Sequence, residues 1–379
     1  MIPLARPVLE ESDIASVVDV LRSGWLTQGP VVAAFKREFA AAVGAPHAVA
    51  VSNCTTALHL ALRAVGVGPG DEVITASHSF IATANAIHMC GASPVFADIE
   101  AATFNIDPTS VARLAGPRVR AILCVHQMGL PCDLPALHAI AGPRGWAVVE
   151  DAACAIGADI LIDGIWRPIG APLSDAACFS FHPRKVLTTG EGGMIATGRP
   201  DIAARCTTLR QHAMSVSDLE RHGAARVSIE SYPEPGFNYR MTDMQAALGR
   251  AQLPRLAAIV RERRDLADGY RARLLAYAAI RPSVEPPWAR TNWQSYCVGL
   301  PDGADRAAVM QGMLDRGVAT RRAIMSSHLE SPWRDARRGC LTVSETVSAT
   351  HLLLPLFGGM TADEQDHVVA SLAASLEQS

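Results

Sequence analysis

Phe179-Ser180-Phe181-His182-Pro183-Arg184-Lys185-Val186-Leu187-Thr188-Thr189-Gly190-Glu191-Gly192-Gly193 sets a single lysine between an apolar run and a glycine-rich turn. The run over 175–181 predicts a buried strand, so the amine leaves the sheet at a strand end. Partial burial disfavours an ammonium, lowers its pKa and makes the amine a nucleophile toward carbonyls. The glycines that follow let backbone come close to a ligand. A lysine in a turn is ordinarily a solvated surface charge. A second strand end argues otherwise here: Val148-Val149-Glu150-Asp151-Ala152-Ala153 places a carboxylate at the end of another apolar run.

The pattern around these two ends is regular. Apolar runs at 47–52, 71–76, 94–99, 119–126 and 146–150 predict strands, and helical patterns fall between them at 55–65, 81–90, 108–114 and 134–140. Near-continuous apolar strands separated by helices imply a mostly parallel sheet covered on both faces. In such sheets ligands gather at the carboxyl ends of the strands. Ser52 to Thr55, His126, Asp151 and Ser180 to Lys185 all fall near those ends. Past Arg199 the spacing predicts helices at 200–211, 241–253 and 256–275. The polar, proline-bearing stretch 213–235 between the first two has the length of a functional loop. Arg261, Arg263, Arg264 and Arg271 of the third helix read as a solvated face. A smaller α+β portion follows, with a strand at 295–300, a helix at 304–316, a strand near 318–324 and a last helix opened by the capping box Thr361-Ala362-Asp363-Glu364. The expected division is a large domain over 1–250 and a small C-terminal domain over 251–379.

Composition narrows the classes. A chain of 379 residues allows roughly two to three domains, and at that size about three quarters of the unfolded surface can be buried. With 49% hydrophobic and 19% charged residues it reads as an ordinary soluble enzyme. A net charge of −3 gives no electrostatic case for nucleic acid or an anionic membrane. No apolar run reaches the roughly 18 residues of a membrane span, and the start, Met1-Ile2-Pro3-Leu4-Ala5-Arg6, lacks the apolar core of a signal peptide. The nine cysteines form no Cys-x-x-Cys pair, which suits a reducing cytoplasm and argues against disulfides or a metal centre.

A lysine and a carboxylate at neighbouring strand ends are what pyridoxal 5'-phosphate (PLP) requires. The amine takes its aldehyde, and the carboxylate, Asp151, keeps the ring nitrogen protonated through a charge-assisted hydrogen bond. The phosphate, with about −1.5 to −2 charges by analogy with a phosphomonoester, calls for backbone N–H groups at a helix start and for hydroxyls. Asn53-Cys54-Thr55-Thr56-Ala57-Leu58 supplies a strand end running into a helix, and Ser180 adds a hydroxyl. Phe80, in Ser79-Phe80-Ile81-Ala82-Thr83-Ala84, starts the next helix where it can stack on the ring.

These segments, together with Gly24-Trp25-Leu26-Thr27-Gln28-Gly29-Pro30, Gly236-Phe237-Asn238-Tyr239-Arg240-Met241, Leu354-Pro355-Leu356 and Met360-Thr361, resemble the DegT/DnrJ/StrS family of PLP-dependent sugar aminotransferases nearly end to end. The resemblance implies an α/β, aspartate-aminotransferase-like fold (PLP fold type I) working as a homodimer. Carried over by position, it implies Lys185 as the residue bound to PLP and Asp151 at the ring nitrogen. Phe80 would cover the ring, and Cys54, Thr55 and Ser180 would hold the phosphate. Asn238 would reach the partner subunit's cofactor, so that active sites are shared. Cys154 stands where relatives usually carry His or Gln against the cofactor, so their polar contact does not carry over directly. Some relatives are sugar dehydratases with His in place of the lysine; Lys185 favours transamination, with L-glutamate as donor.

Most relatives aminate nucleotide-linked keto-deoxysugars, and some act on free cyclitol ketones. Asn292-Trp293-Gln294-Ser295-Tyr296 and Ala319-Thr320-Arg321-Arg322-Ala323-Ile324-Met325, then His328, resemble a perosamine-type subgroup that aminates C4. Arg321, Arg322 and His328 are the expected substrate contacts, the arginines on a diphosphate. The amino acceptor expected is a nucleotide-linked 4-keto-6-deoxyhexose. The alternative is a non-nucleotide ketone or aldehyde, such as a cyclitol or a secondary-metabolite intermediate. A dehydratase or a non-catalytic PLP-binding regulator fits less well, since the Lys/Asp pair is intact and no DNA-binding domain is evident.

Overall fold

The computed structural model describes residues 1–216 and 229–378. Helices α1 (Glu11–Ser23) and α2 (Pro30–Val43) lead into β1 (His47–Val51), α3 (Cys54–Ala64), β2 (Glu72–Ala76), α4 (Ala82–Met89) and β3 (Ser93–Ala97). Then come α5 (Pro108–Arg113), β4 (Val119–Val125), α6 (Leu134–Ala141), β5 (Ala147–Asp151), a small hairpin of β6 (Asp159–Ile162) and β7 (Ile165–Pro168), β8 (Ala176–Ser180), β9 (Gly193–Thr197) and α7 (Pro200–Leu209). The C-terminal third holds α8 (Asp243–Gln252), α9 (Leu256–Leu274), β10 (Arg281–Pro282), β11 (Ala289–Arg290), β12 (Tyr296–Gly299), α10 (Arg306–Asp315), β13 (Arg321–Arg322), α11 (Thr342–Thr350), β14 (His351–Leu354) and α12 (Ala362–Leu376).

Seven strands form the central sheet in the order β1-β9-β8-β5-β4-β2-β3. Every neighbour from β8 to β3 is parallel, and β9 alone runs against both of its neighbours, so β1 and β8 point the same way. The carboxyl ends of β1, β2, β4, β5 and β8 therefore share one edge. The alternation of side chains feeds two cores: Ala48, Ala50, Ile122 and Cys124 face one apolar cluster, while Val49, Val51, Ala121 and Leu123 face the other. Phe35 and Phe39 of α2 meet Phe179 and Phe181 at ring-centroid separations of 5.1 to 5.7 Å, fastening α2 across the lysine-bearing strand. Each such buried ring is worth about 1.5–3 kcal/mol.

A third cluster gathers Tyr270, Tyr296, Val309, Leu352 and Leu372 around the antiparallel sheet β10-β12-β14-β13. The opening segment joins it, since Ile2 bridges Val318. Three sequence expectations change. The strand near 318–324 shrinks to β13. Arg263 of α9 is buried rather than solvated, with its guanidinium spent on the carbonyl oxygens of Trp293, Gln294 and Leu356. The expected loop 213–235 falls mostly on 217–228, outside the described residues. Among the described residues no helix is long and apolar enough to cross a membrane.

Candidate active site

At the carboxyl edge of the sheet lies a cavity of about 590 Å³. Its walls bring together Cys54, Thr55, Phe80, Asp151, Cys154, Ser180, Lys185, Arg321 and Arg322, nine of the eleven residues singled out from sequence.

Each arrives on a defined element. Asn53 caps α3, its Oδ1 accepting from Thr56 N at 3.0 Å, and this leaves Cys54 and Thr55 as the first turn, whose N–H groups have no partner within a helix. The Cys54 thiol donates to the Cys178 carbonyl at 3.4 Å, so the side chain is committed to the sheet. Gly193 is required at the start of β9: a Cβ there would stand 2.6 Å from the Asn53 carbonyl and 2.9 Å from Cys54 N. Ser180 closes β8, and Phe80, 54% exposed, stands at the wall ahead of α4.

Asp151 ends β5 at 5% exposure. Its Oδ2 accepts from Thr83 Oγ1 at 2.8 Å and its Oδ1 from Ala153 N at 3.2 Å. Burial pushes its pKa up, against the pull of those donors and of Lys185. Thr83 is itself held by Ser79 Oγ at 2.7 Å. Sequence reading quoted Thr83 without giving it a task; its position four residues after Ser79, on one face of α4, was the available signal.

Lys185 Nζ donates to Cys154 Sγ at 3.1 Å. The expected lowering of its pKa is not found. Burial does push the ammonium down, but the Cys154 sulfur and the Asp151 carboxylate outweigh it, and the net direction is upward. Behind Asp151, the fully buried His126 takes the Cys132 N–H on Nδ1 at 2.9 Å, which places the ring proton on Nε2, 2.8 Å from Glu150 Oε2.

Two expected residues stand apart. His328 does not line the cavity: Ser77 Oγ lies 2.6 Å from its Nδ1 and Glu345 Oε1 3.0 Å from its Nε2, so both ring nitrogens are engaged and a substrate contact is withdrawn. Asn238 is exposed, bridges Gln211, and lies outside the cavity of its own chain.

The site fits PLP. A buried carboxylate whose charge is incompletely met wants the protonated ring nitrogen, the open helix start wants an anion, and the lysine shares their cavity. The pattern of the DegT/DnrJ/EryC1/StrS aminotransferase family matches residues 7–373. Among solved structures, the aminotransferase TlmJ from Streptoalloteichus hindustanus is 34% identical with a TM-score of 0.91, covering 100% of this chain and 99% of that one. Spr1654 from Streptococcus pneumoniae, described as a sugar aminotransferase and solved in its PMP form, is 26% identical with a TM-score of 0.92 and covers both chains fully (100% and 100%). DesI, solved in the presence of its TDP-sugar product, is 30% identical at a TM-score of 0.88, covering 100% of this chain and 94% of that one.

Proposed function

The chain belongs to the DegT/DnrJ/EryC1/StrS aminotransferase family and is a PLP-dependent aminotransferase, and on that premise we propose that it moves the amino group of L-glutamate to a nucleotide-linked 4-keto-6-deoxyhexose in ping-pong fashion. The observation that carries the reading is Lys185 and buried Asp151 in one cavity beside the open start of α3.

PLP, when bound, supplies an aldehyde carbon to receive the amino group and a ring that withdraws electrons from it. Asp151 holds the proton of the ring nitrogen, with Thr83 fixing the carboxylate's orientation. Backbone N–H groups of Cys54 and Thr55, with Ser180 Oγ, bind the phosphate. Phe80 covers the ring and keeps water from that face. Lys185 Nζ takes a proton from the donor's α-carbon in one half-reaction and returns one to the acceptor carbon in the other. Cys154 Sγ holds Nζ at the cavity wall between these steps.

The choice of acceptor rests on charge. Arg184, Arg321 and Arg322 line the cavity. Arg321 is pushed down by burial and by Arg184 and Arg322, and Arg306 by burial and Arg322. Arg306 Nη1 is buried without a hydrogen-bond partner, and among the described residues only Glu330, 3.4 Å from Arg322, pairs with any of the four. A diphosphate relieves that repulsion. Opposite it, Ile324, Leu353, Leu354 and Leu356 offer an apolar wall to a deoxygenated sugar carbon. DesI, with its TDP-sugar product, supports the same class of acceptor. Losing one charge-assisted bond of about 1.5–3 kcal/mol predicts that Arg321→Ala or Arg322→Ala raises KM for a nucleotide-linked ketosugar about tenfold or more. KM for a free cyclitol ketone stays unchanged. An equal response to both ketones contradicts the diphosphate reading.

The homodimer belongs to the same proposal, with Asn238 serving the partner subunit's cofactor. Its exposure outside its own cavity supports this. Mixing Lys185→Ala subunits with Asn238→Ala subunits then restores one intact site per mixed dimer. A mixture no more active than its components rules out shared sites. We assign 1–250 to the cofactor-holding domain and 251–379 to the small domain, supported by the separate apolar cluster of the latter. Nine free cysteines support a cytoplasmic location.

A further inference from the structure

The segment Thr291-Asn292-Trp293-Gln294 reaches both loops that carry the chemistry, and nothing in the proposed mechanism uses it. Asn292 is fully buried and donates from Nδ2 to the carbonyl oxygens of Cys154 at 2.7 Å and Ile156 at 2.8 Å. Its Oδ1 accepts from Gln294 N at 2.9 Å. Gln294 in turn donates from Nε2 to the carbonyl oxygen of Arg184 at 2.9 Å. One side chain thus grips the loop that follows Asp151, and the other grips the residue before Lys185.

The grip is set from behind. Trp293 adopts φ +49°, a left-handed conformation unusual for a tryptophan. Arg263 holds it there, donating from Nε to the Trp293 carbonyl at 2.9 Å and from Nη2 to those of Gln294 at 2.8 Å and Leu356 at 3.1 Å. Arg264 Nε takes the Thr291 carbonyl at 3.0 Å. Gly129 completes the fit, because a Cβ there would collide with Asn292 Oδ1. With its backbone clamped by α9, the segment sends its two amides to two loops that share no strand connection with it.

We propose that Asn292 and Gln294 are positioning residues for amino transfer: together they hold the Cys154 loop and the Lys185 loop at a fixed separation, and so set where Lys185 Nζ stands relative to Asp151. The proposal rests on the roles given above to Lys185 and Asp151. Cys154 is the contact through which the brace is felt, since Asn292 fixes its backbone and its sulfur receives Nζ. Proton transfer is sensitive to such placement, a shift of about 1 Å costing on the order of a hundredfold in rate.

The test uses the PLP-loaded enzyme with Asn292→Ala and Gln294→Glu, the latter changing a half-buried amide with little risk to folding. Two quantities are read: kcat and KM for L-glutamate, and the pH at which the visible absorbance of the bound cofactor titrates. The brace predicts that both variants lower kcat about tenfold or more, change KM for L-glutamate less than about twofold, and shift the absorbance titration. Should Asn292→Ala fail to fold, Gln294→Glu decides alone. A folded Gln294→Glu enzyme with unaltered kcat and an unaltered absorbance titration overturns the proposal. Lys185→Ala is the reference: if it keeps the wild-type absorbance titration, the role of Lys185 itself has failed and the brace falls with it.

Discussion

A carboxylate buried as deeply as Asp151 carries an electrostatic burden until a cation meets it. Its pKa is raised by burial, so the sign of its effect on the cofactor-free protein follows directly. The burden is absent at low pH, where the carboxyl is protonated in folded and unfolded chains alike, and it grows as pH rises past the ordinary carboxylate range. Asp151→Asn removes it. The variant should be at least as stable as wild type near neutral pH without cofactor, yet lose activity about 10- to 100-fold, the worth of one hydrogen bond to a charged group. Thermal melts of the apo proteins beside turnover assays check both signs, and near-normal turnover contradicts the role at the ring nitrogen. At this scale the sequence was informative wherever chemistry forces a residue type, as with Lys185 and Asp151. It was silent on Thr83, Asn292 and Gln294, whose partners lie 68, 138 and 110 residues away in the chain. It misjudged the Lys185 pKa because the sulfur of Cys154, 31 residues distant, is invisible to local reasoning.

The elements that present these side chains depend on a few cross-connections. The start of α2 is capped by a residue of another helix: Asp243, fully buried at the first turn of α8, accepts from Gly29 N at 2.8 Å, Val31 N at 3.2 Å and Val32 N at 2.9 Å. Pro30 between them has no N–H to satisfy. Asp243→Ala leaves three donors without that acceptor and should cost about 2 kcal/mol or more. Chemical denaturation reads the loss, and an unchanged midpoint contradicts a cross-helix cap. The parallel strands were legible because burial on both faces writes continuous apolar runs. The reversed strand β9 was not, since Gly193-Met194-Ile195-Ala196-Thr197 follows a glycine-rich turn that read as part of the lysine loop. Arg263 was mistaken for surface because helical spacing cannot tell a solvated guanidinium from one consumed by three carbonyl groups.

Over the whole molecule, the sheet delivers five strand ends to one edge, and the C-terminal third supplies the wall facing them through Gln294, Arg321, Arg322 and Leu354. The first half of that arrangement follows from alternating strands and helices. The second depends on how β12, β13 and β14 come to face the sheet, which no local pattern encodes. The most direct test of the central claim is a spectral titration of the PLP-loaded protein with L-glutamate, followed by a keto-sugar. Amino transfer predicts that glutamate bleaches the visible absorbance of the cofactor, releases 2-oxoglutarate, and that the ketone restores the colour. A loaded protein whose spectrum L-glutamate leaves unchanged, with no 2-oxoglutarate formed, contradicts the account.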